Sequence, residues 1–405
     1  MLTVEPAARK RRSRGRVALA LAGGGPLGAF YQLGCLHALA ECTEGLDLSD
    51  LDAYVGVSSG AIIAASLANG ITTGDMVRLF FVEDGAGLYP LTPGILMRPA
   101  VGEYVDRLLR LPNLAKQVLK RLARDPLGQN WAAVLSPLVH AIPTGVFDNQ
   151  PFEQYLRRLL SDRGRTNDFR ELPTMLRIVA TELNSGTEIR FGEPGLDHVP
   201  ISEAIRASTA LPGLYTPVRF DGRTYVDGAL LRTVHASLVL DQGTDLLISV
   251  NPLVTFDASQ QHKRHRRDLA DDGLIAVMGQ TFRALIQSRM QIGMAAYGER
   301  YPHSDRVLFQ PDRDDEVMFF TNVFRYVERR RLANHAYQQT RRDLLARAAE
   351  LAPVLQRHGI ALRVDRLNEA ARTFDTCVHG TSFAMPLTAD LNSTLDRLAH
   401  WVAAR

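Results

Sequence analysis

The sequence predicts an α/β fold in which a mostly parallel sheet is covered by helices on both faces. Short, apolar, β-branched segments recur along the chain, and glycine, serine, proline or asparagine closely follows each of them. Segments with a helical pattern lie between them, and strands that alternate with helices favour parallel pairing. The predicted strands are residues 17–21, 53–57, 175–181, 246–250 and 306–309.

The composition is that of a globular protein. Of the 405 residues, 46% are hydrophobic and 22% are charged, which excludes a chain that is disordered throughout. No apolar run approaches the roughly 18 residues of a membrane-spanning helix, so any membrane contact is expected to be peripheral. Three cysteines, Cys35, Cys42 and Cys377, favour free thiols in a reducing compartment, and the cytoplasm is the expected location.

Residues 1–16 form a basic segment that we predict to be a flexible tail. It contains six basic residues and one acidic residue, so its net charge is +5, whereas the whole chain carries +3. Because the rest of the chain is slightly acidic, a nucleic acid is not an expected partner. The tail is interpreted as solvated chain or as an arm that touches anionic lipid. An export signal is a third interpretation, but the apolar residues that follow run into a glycine triplet instead of a cleavage site.

The organisation of the chain predicts a first domain over residues 17–251 and a mainly helical C-terminal extension over residues 252–405. Residues 85–150 interrupt the alternation of strands and helices, which indicates a helical insertion. The insertion is interpreted either as a lid or lipid-facing cap over a site, or as an additional packed helical layer. The prolines expected to break its helices are Pro112, Pro126, Pro137 and Pro143.

A glycine loop follows the first predicted strand. Residues 23–28 read Gly-Gly-Gly-Pro-Leu-Gly and precede a helical segment, so backbone amides can approach a ligand closely there. The loop satisfies the G-x-G-x-x-G pattern of dinucleotide-binding proteins, and it equally suits an oxyanion hole. A Walker loop is excluded because no Gly-Lys-Ser/Thr follows. The loop alone leaves the first two interpretations open.

The strongest single motif is Gly56-Val57-Ser58-Ser59-Gly60. It lies between the predicted strand 53–57 and a helical segment at 61–68, the context that a G-x-S-x-G nucleophile elbow requires. Ser58 is therefore the candidate nucleophile, and Gly56 and Gly60 are the residues that permit the tight turn. A tight turn with a purely structural serine is the alternative.

A serine nucleophile needs a base. His335, His358 and His379 occur in the order expected for an ordinary α/β-hydrolase, but none has a telling local context. The pair Asp221-Gly222 between alternating apolar residues predicts a hairpin, which brings Asp227 to the end of the returning strand. His262 and His265 have no third ligand nearby, so no metal site is predicted.

These motifs, in this order, resemble the patatin-like phospholipase family. The order is Gly-Gly-Gly-x-x-Gly after one strand, Gly-x-Ser-x-Gly after the next, and Asp-Gly-Ala after a hairpin. Residues 179–186 and 204–212 also resemble sequence blocks that the family carries between its serine and its aspartate. The likeness spans about residues 17–251.

The resemblance implies a three-layer sandwich that hydrolyses fatty-acyl esters of phospholipids or related lipids. It implies a Ser-Asp dyad in which Ser58 is the nucleophile and Asp227 is the base, without a histidine, a metal or a cofactor. It also implies that backbone amides of the glycine loop form the oxyanion hole. The residues of that hole are Gly23, Gly24, Gly25 and Gly28.

The sequence departs from the family at Leu27, where the family usually has a basic residue. The loss of this cation from the neighbourhood of the oxyanion favours less anionic esters. Other classes of function remain as alternatives: an esterase with a Ser-His-Asp triad, or a catalytically silent lipid-binding scaffold. A dinucleotide-dependent oxidoreductase would use the glycine loop but would leave Ser58 and Asp227 without a role.

Overall fold

The computed structural model describes residues 1–8, 15–81, 93–124, 134, 136–231, 234–257, 268–321 and 326–374. The strands are β1 Leu2–Glu5, β2 Val17–Leu21, β3 Thr43–Glu44, β4 Ala53–Val57, β5 Gly145–Phe147, β6 Met175–Glu182, β7 Glu188–Phe191, β8 Gly213–Tyr215, β9 Val218–Phe220, β10 Arg223–Asp227, β11 Leu246–Val250, β12 Asp305–Phe309 and β13 Ala361–Leu362. The α-helices are α1 Gly25–Cys42, α2 Ser59–Ala68, α3 Thr73–Phe81, α4 Pro93–Leu96, α5 Val101–Arg124, α6 Gln150–Leu160, α7 Ile201–Ser208, α8 Ser237–Leu240, α9 Gly273–Arg300, α10 Glu316–Phe320, α11 Tyr326–Ala346, α12 Ala348–Gln356 and α13 Val364–Asn368. Short 3-10 helices occupy Ser136–Ala141, Phe169–Glu171, Gly228–Leu230 and Leu269–Asp272.

A nine-stranded sheet forms the centre of the fold. Its order is β1-β12-β11-β2-β4-β6-β10-β9, and β7 pairs with β6. The five strands from β12 to β6 are parallel, whereas β1, β7, β9 and β10 pair antiparallel. All five predicted strands are present, with ends that differ from the prediction by at most one residue. The predicted mostly parallel sheet is confirmed.

Helices cover both faces of this sheet, because side chains along a strand point alternately to its two sides. Leu19 and Leu21 of β2 belong to the core beneath α1, α2 and α11. Ala18 and Ala20 belong to a second core, beneath α8 and α9. The three-layer α/β sandwich is therefore confirmed.

The N-terminal residues differ from the predicted flexible tail. Leu2–Glu5 forms β1, which pairs antiparallel with β12, and the Leu2 side chain is buried. The physical reason is that β12 would otherwise present an unpaired row of backbone donors and acceptors at the sheet edge. The basic residues between positions 9 and 14 lie outside the described residues.

Residues beyond 251 contribute to the same sheet and to one helical layer. Strand β12 pairs in parallel with β11, and α11 packs against α1. The two helices approach closely at Gly34, where a Cβ atom would lie 2.2 Å from the Ala333 carbonyl oxygen. The predicted extension at 252–405 is helical over α9 to α13, apart from β12 and β13.

The described part of the predicted insertion is mainly helical, apart from β5, and its main helix is longer than expected. Helix α5 continues through Pro112, so the predicted break at this residue is wrong. A proline inside a helix removes one backbone hydrogen bond, and the 24-residue length of α5 leaves enough others to sustain the helix. Pro126, His262 and His265 lie outside the described residues. Among the described helices, none combines the length and the apolar character needed to cross a bilayer.

Candidate active site

Ser58 occupies a tight turn between β4 and α2. Its φ of 52° is unusual for a residue with a side chain, because Cβ crowds the backbone in this region. A Cβ atom on Gly56 would lie 2.5 Å from Ala61 Cα, and one on Gly60 would lie 2.4 Å from the Leu21 carbonyl oxygen. Only glycine therefore fits at the two positions that flank the serine.

A serine on α7 fixes the backbone of this turn. The amide of Ser58 donates to Ser208 Oγ at 2.8 Å, and Ser208 Oγ donates to the Val179 carbonyl oxygen at 2.6 Å. All three residues are buried. Sequence reasoning did not single out Ser208, although it lies in the 204–212 block that resembles the family.

Asp227 lies at the end of β10, which approaches Ser58 from the direction opposite to β4. Strand β4 runs along one edge of β6 until Val57 pairs with Val179. Strand β10 runs antiparallel along that same edge until Asp227 pairs with Ala180, while β7 occupies the other edge. The C-terminal ends of β4 and β10 thus meet over β6, and this brings Ser58 and Asp227 together.

The two side chains lie next to each other. The Ser58 hydroxyl interacts with the Asp227 carboxyl group and lowers its pKa, and the amide of Ala229 donates to Asp227 Oδ1 at 2.9 Å. Both residues are almost fully buried, with 4% of Ser58 and 2% of Asp227 exposed. Burial raises the pKa of Asp227 to about 6, although the Ser58 hydroxyl and the Ala229 amide act in the opposite direction.

The glycine loop lies directly beside Ser58. A Cβ atom on Gly23 would lie 3.1 Å from Ser58 Cβ, and one on Gly24 would lie 2.6 Å from Pro252 Cγ. Helix α1 begins at Gly25 without a side-chain cap, so its first amides face the loop. The amide of Gly28 is different, since it donates to the Gly24 carbonyl oxygen at 3.0 Å. Gly28 therefore contributes through its lack of a side chain, because a Cβ atom there would lie 3.0 Å from Pro252 Cγ.

An apolar pocket opens beside Ser58. It contains about 880 Å³ of empty space, part of it open to solvent. One wall comes from α6, whose apolar spacing in the sequence is that of any packed helix and gave no specific signal. The lining residues are Gly25, Pro26, Ala29, Phe30, Ser58, Ser59, Ile62, Ile63, Phe80, Leu96, Asn149, Phe152, Tyr155, Leu156, Leu159, Thr209, Leu211, Leu214 and Tyr215.

The histidines considered as bases either contact other acidic residues or lie outside the described residues. Nε2 of His335 lies 2.7 Å from Asp315, and Nε2 of His358 lies 2.8 Å from Asp305. His379 lies outside the described residues. Within the part of the chain that the structure describes, no histidine lines the pocket.

Two further findings concern metals and thiols. No group of three or more histidine, cysteine, aspartate or glutamate side chains among the described residues is arranged to hold a metal ion. Cys35 and Cys42 are free, buried thiols, and burial raises the pKa of Cys35 to about 12. Such a thiol is a poor nucleophile at neutral pH.

Comparison with known proteins identifies relatives over part of the chain. An uncharacterised protein of Acanthamoeba polyphaga mimivirus is 25% identical over 213 residues, which cover 52% of this chain and 57% of the relative. An uncharacterised NTE family protein of Mycobacterium tuberculosis is 35% identical over 81 residues, which cover 20% of this chain and 21% of the relative. The chain thus matches less than two thirds of the length of either relative.

Solved structures also show similarity. VipD from Legionella pneumophila matches with a TM-score of 0.33 and 19% identity, over 63% of this chain and 54% of that protein. Human GIVD cytosolic phospholipase A2, in complex with methyl gamma-linolenyl fluorophosphonate, matches with a TM-score of 0.35 and 14% identity, over 85% of this chain and 60% of that protein.

The family model for patatin-like phospholipases matches residues 19–240, more than half of the chain. The chain therefore belongs to the patatin-like phospholipase family.

Proposed function

We propose that the protein is a serine acyl hydrolase that cleaves fatty-acyl esters of phospholipids or related lipids. The observation that carries this proposal is the buried pair of Ser58 and Asp227 side chains beside an apolar pocket. Membership of the patatin-like phospholipase family supports the same reaction class. Ser58 acts as the nucleophile and Asp227 as the general base.

The raised pKa of Asp227 suits this role. A carboxylate with an ordinary pKa near 3.8 is a weak base, whereas one with a pKa of about 6 accepts a proton more readily and is still mostly ionised at pH 7. The carboxylate also holds the serine hydroxyl in a fixed orientation before reaction.

The reaction proceeds in two halves. In the first, Ser58 Oγ bonds to the ester carbonyl carbon while its proton moves to Asp227; the bond to the alcohol then breaks and Asp227 returns the proton to the alcohol. In the second, water attacks the acyl-serine ester and gives its proton to Asp227. The bond to Ser58 Oγ then breaks, the serine recovers a proton, and the fatty acid leaves.

Backbone amides of the glycine loop stabilise the negative charge on the tetrahedral intermediates. The amides of Gly24 and Gly25 are the best donors, because Pro26 has no N–H group and the Gly28 amide is already bonded. One such donor is typically worth a factor of about 10²–10³ in rate. With Leu27 in place of a cation, this charge is stabilised by backbone dipoles without help from a side chain at that position.

The lining of the pocket suits the acyl part of the substrate. Its lining is dominated by leucine, isoleucine and aromatic side chains, which suits an extended acyl chain and not a polar acid. The alcohol or headgroup part of the ester then remains on the solvent side of Ser58.

The test is hydrolysis of p-nitrophenyl esters of increasing chain length and of phospholipid vesicles. We expect Ser58→Ala to lower turnover by a factor on the order of 10⁶. Ser66→Ala is a matched control, since Ser66 is a buried serine on α2 whose hydroxyl bonds to the Ile62 carbonyl oxygen. Retained hydrolysis by pure Ser58→Ala protein would refute the proposal.

Two further measurements separate the alternatives. Labelling of Ser58 by a fluorophosphonate, mapped by mass spectrometry, is expected for an activated serine and not for a lipid-binding scaffold. His335→Ala and His379→Ala are expected to retain hydrolysis. If either histidine variant were as inactive as Ser58→Ala, a Ser-His-Asp triad would replace the dyad.

A further inference from the structure

Exposed apolar side chains concentrate in one segment of the molecule. Of the twenty large hydrophobic residues that are exposed in the described part of the chain, eleven lie between positions 101 and 146. Monomeric proteins rarely expose contiguous apolar surface without a function for it. The described part of this segment comprises α5, the 3-10 helix at Ser136–Ala141, the loop that follows it and the start of β5.

Helix α5 exposes its apolar side, whereas an ordinary surface helix buries it. Successive residues of a helix are about 100° apart, so Val101, Val105, Leu108, Leu109 and Leu119 share one side. We call this side the apolar face of α5. Its members are between 49% and 71% exposed.

The side of α5 that contacts the rest of the protein is largely polar. Arg107 donates to Glu103 at 2.9 Å and to the His140 carbonyl oxygen at 2.7 Å. Glu103 also accepts from the amide of Thr144 at 3.2 Å. Leu114 is the buried hydrophobic residue on this side. The helix is thus anchored by charged contacts while most of its apolar side chains face outwards.

The charge of α5 indicates what its apolar face contacts. The helix carries six basic residues against two acidic ones; on the helical projection Lys116 lies within the apolar face and Lys120 borders it. A basic helix with a broad apolar face is typical of helices that lie in the interface of an anionic bilayer. Each cation near such a surface contributes additional attraction.

The chain connects α5 directly to the pocket. Leu96, five residues before the helix, lines the pocket, and its carbonyl oxygen accepts from the Tyr215 hydroxyl at 3.0 Å. The amide of Ala100 donates to the Val146 carbonyl oxygen at 3.0 Å, which ties the start of α5 to β5. Strand β5 in turn pairs with β8, whose Tyr215 also lines the pocket. The N-terminal end of α5 is therefore tied to the wall of the pocket.

We propose that the apolar face of α5 docks the protein on the surface of an anionic lipid bilayer. This inference rests on the proposed function, because a lipid substrate supplies the reason for the docking. It assigns membrane contact to α5 instead of the basic residues near the N-terminus.

The test compares two pairs of substitutions at side chains of similar exposure. Leu108→Glu/Leu109→Glu changes side chains that are 64% and 71% exposed on α5, and Leu285→Glu/Ile292→Glu changes side chains that are 60% and 71% exposed on α9. Both pairs are made in full-length Ser58→Ala protein, so that turnover does not alter the membrane. Binding is measured by co-sedimentation with vesicles of phosphatidylcholine and phosphatidylserine.

We expect the α5 pair to weaken vesicle binding by about tenfold or more and the α9 pair to change it by less than about twofold. Vesicles of phosphatidylcholine alone are expected to bind more weakly than the anionic vesicles. Equal binding by all proteins, or an equal loss in both pairs, would overturn the proposal. So would a loss of self-association in the α5 pair with unchanged vesicle binding, because the face would then be an interface between copies.

The proposed function is tested separately, in the Ser58-containing proteins, with a soluble short-chain ester. The α5 pair is expected to hydrolyse p-nitrophenyl butyrate at the wild-type rate and phospholipid vesicles at least about tenfold more slowly. If no protein hydrolyses any ester but vesicle binding depends on α5, the function fails and the docking surface stands. If hydrolysis depends on Ser58 but vesicle binding does not depend on α5, the docking surface fails and the function stands.

Discussion

Replacing Asp227 by asparagine is expected to stabilise the folded protein above pH 6 while removing its activity. Burial raises the pKa of Asp227 from the usual 3.8 to about 6. This difference corresponds to about 3 kcal/mol, since each pKa unit is worth about 1.36 kcal/mol. Asparagine keeps the acceptor for the Ala229 amide but does not ionise, so it avoids the cost of a buried charge.

The sign of the effect follows from proton linkage. Between pH 3.8 and about 6 the folded state binds more protons at Asp227 than the unfolded state does, so this residue lowers stability as the pH rises. The stability advantage of Asp227→Asn should therefore grow by about 2.4 kcal/mol between pH 4 and pH 7 and stay nearly constant above that. Urea unfolding of both proteins across this range measures the difference, and the comparison cancels all other titrating groups.

Activity provides the second half of this test. We expect wild-type kcat/KM for a soluble ester to rise through about pH 6 and then level off, because only ionised Asp227 accepts the serine proton. Asp227→Asn should lose a factor of about 10²–10⁴ in kcat at pH 8. A stability difference that does not change between pH 4 and pH 8 would refute the assignment of a buried, destabilising charge to Asp227.

Three further changes test the turn, its support and the pocket. Gly60→Ala should destabilise the protein by roughly 2–4 kcal/mol in urea unfolding, because a Cβ atom there would lie 2.4 Å from a carbonyl oxygen. Gly74→Ala on α3 is the control and should change stability by less than about 1 kcal/mol, because its Cβ atom would meet only Thr72 Oγ1, at 3.8 Å. Ser208→Ala leaves the buried Ser58 amide without its acceptor and should cost roughly 1–3 kcal/mol; an unchanged unfolding midpoint would contradict this role. Leu159→Trp fills the pocket and should shift the preferred p-nitrophenyl ester to shorter chains, and an unchanged chain-length profile would exclude Leu159 from the acyl site.

The features that the sequence predicted best are local ones. The strand ends at 17–21, 53–57 and 246–250 match the observed elements, because apolar runs bounded by turn residues define buried strands over a few positions. The hairpin at Asp221-Gly222 is equally local, and both residues have the positive φ that its turn requires. The tight turn at Ser58 could also be predicted from the sequence. A side chain on Gly56 would collide with Ala61, five residues away, and one on Gly60 would collide with Leu21 on the adjacent strand β2.

Other features depend on parts of the chain that are distant in sequence. The sequence predicted a flexible N-terminal tail, but Leu2–Glu5 became a strand because β12 offers it an edge. Pro112 suggested a break, but α5 continues through it. The outward orientation of the apolar face of α5 likewise follows from the contacts of Glu103 and Arg107 with residues at 140–144, which no periodicity predicts.

The sequence by itself determined the α/β class, the central strands and the residue types available for catalysis. Only the tertiary structure decided that Ser58 and Asp227 meet, because their strands approach each other along one edge of β6. It also decided the pKa of Asp227, the support from Ser208 and the shape of the pocket. The physical reason is the separation along the sequence over which each interaction acts. Turn sterics and side-chain periodicity depend on residues a few positions apart, whereas burial and strand pairing depend on segments that are distant in the sequence.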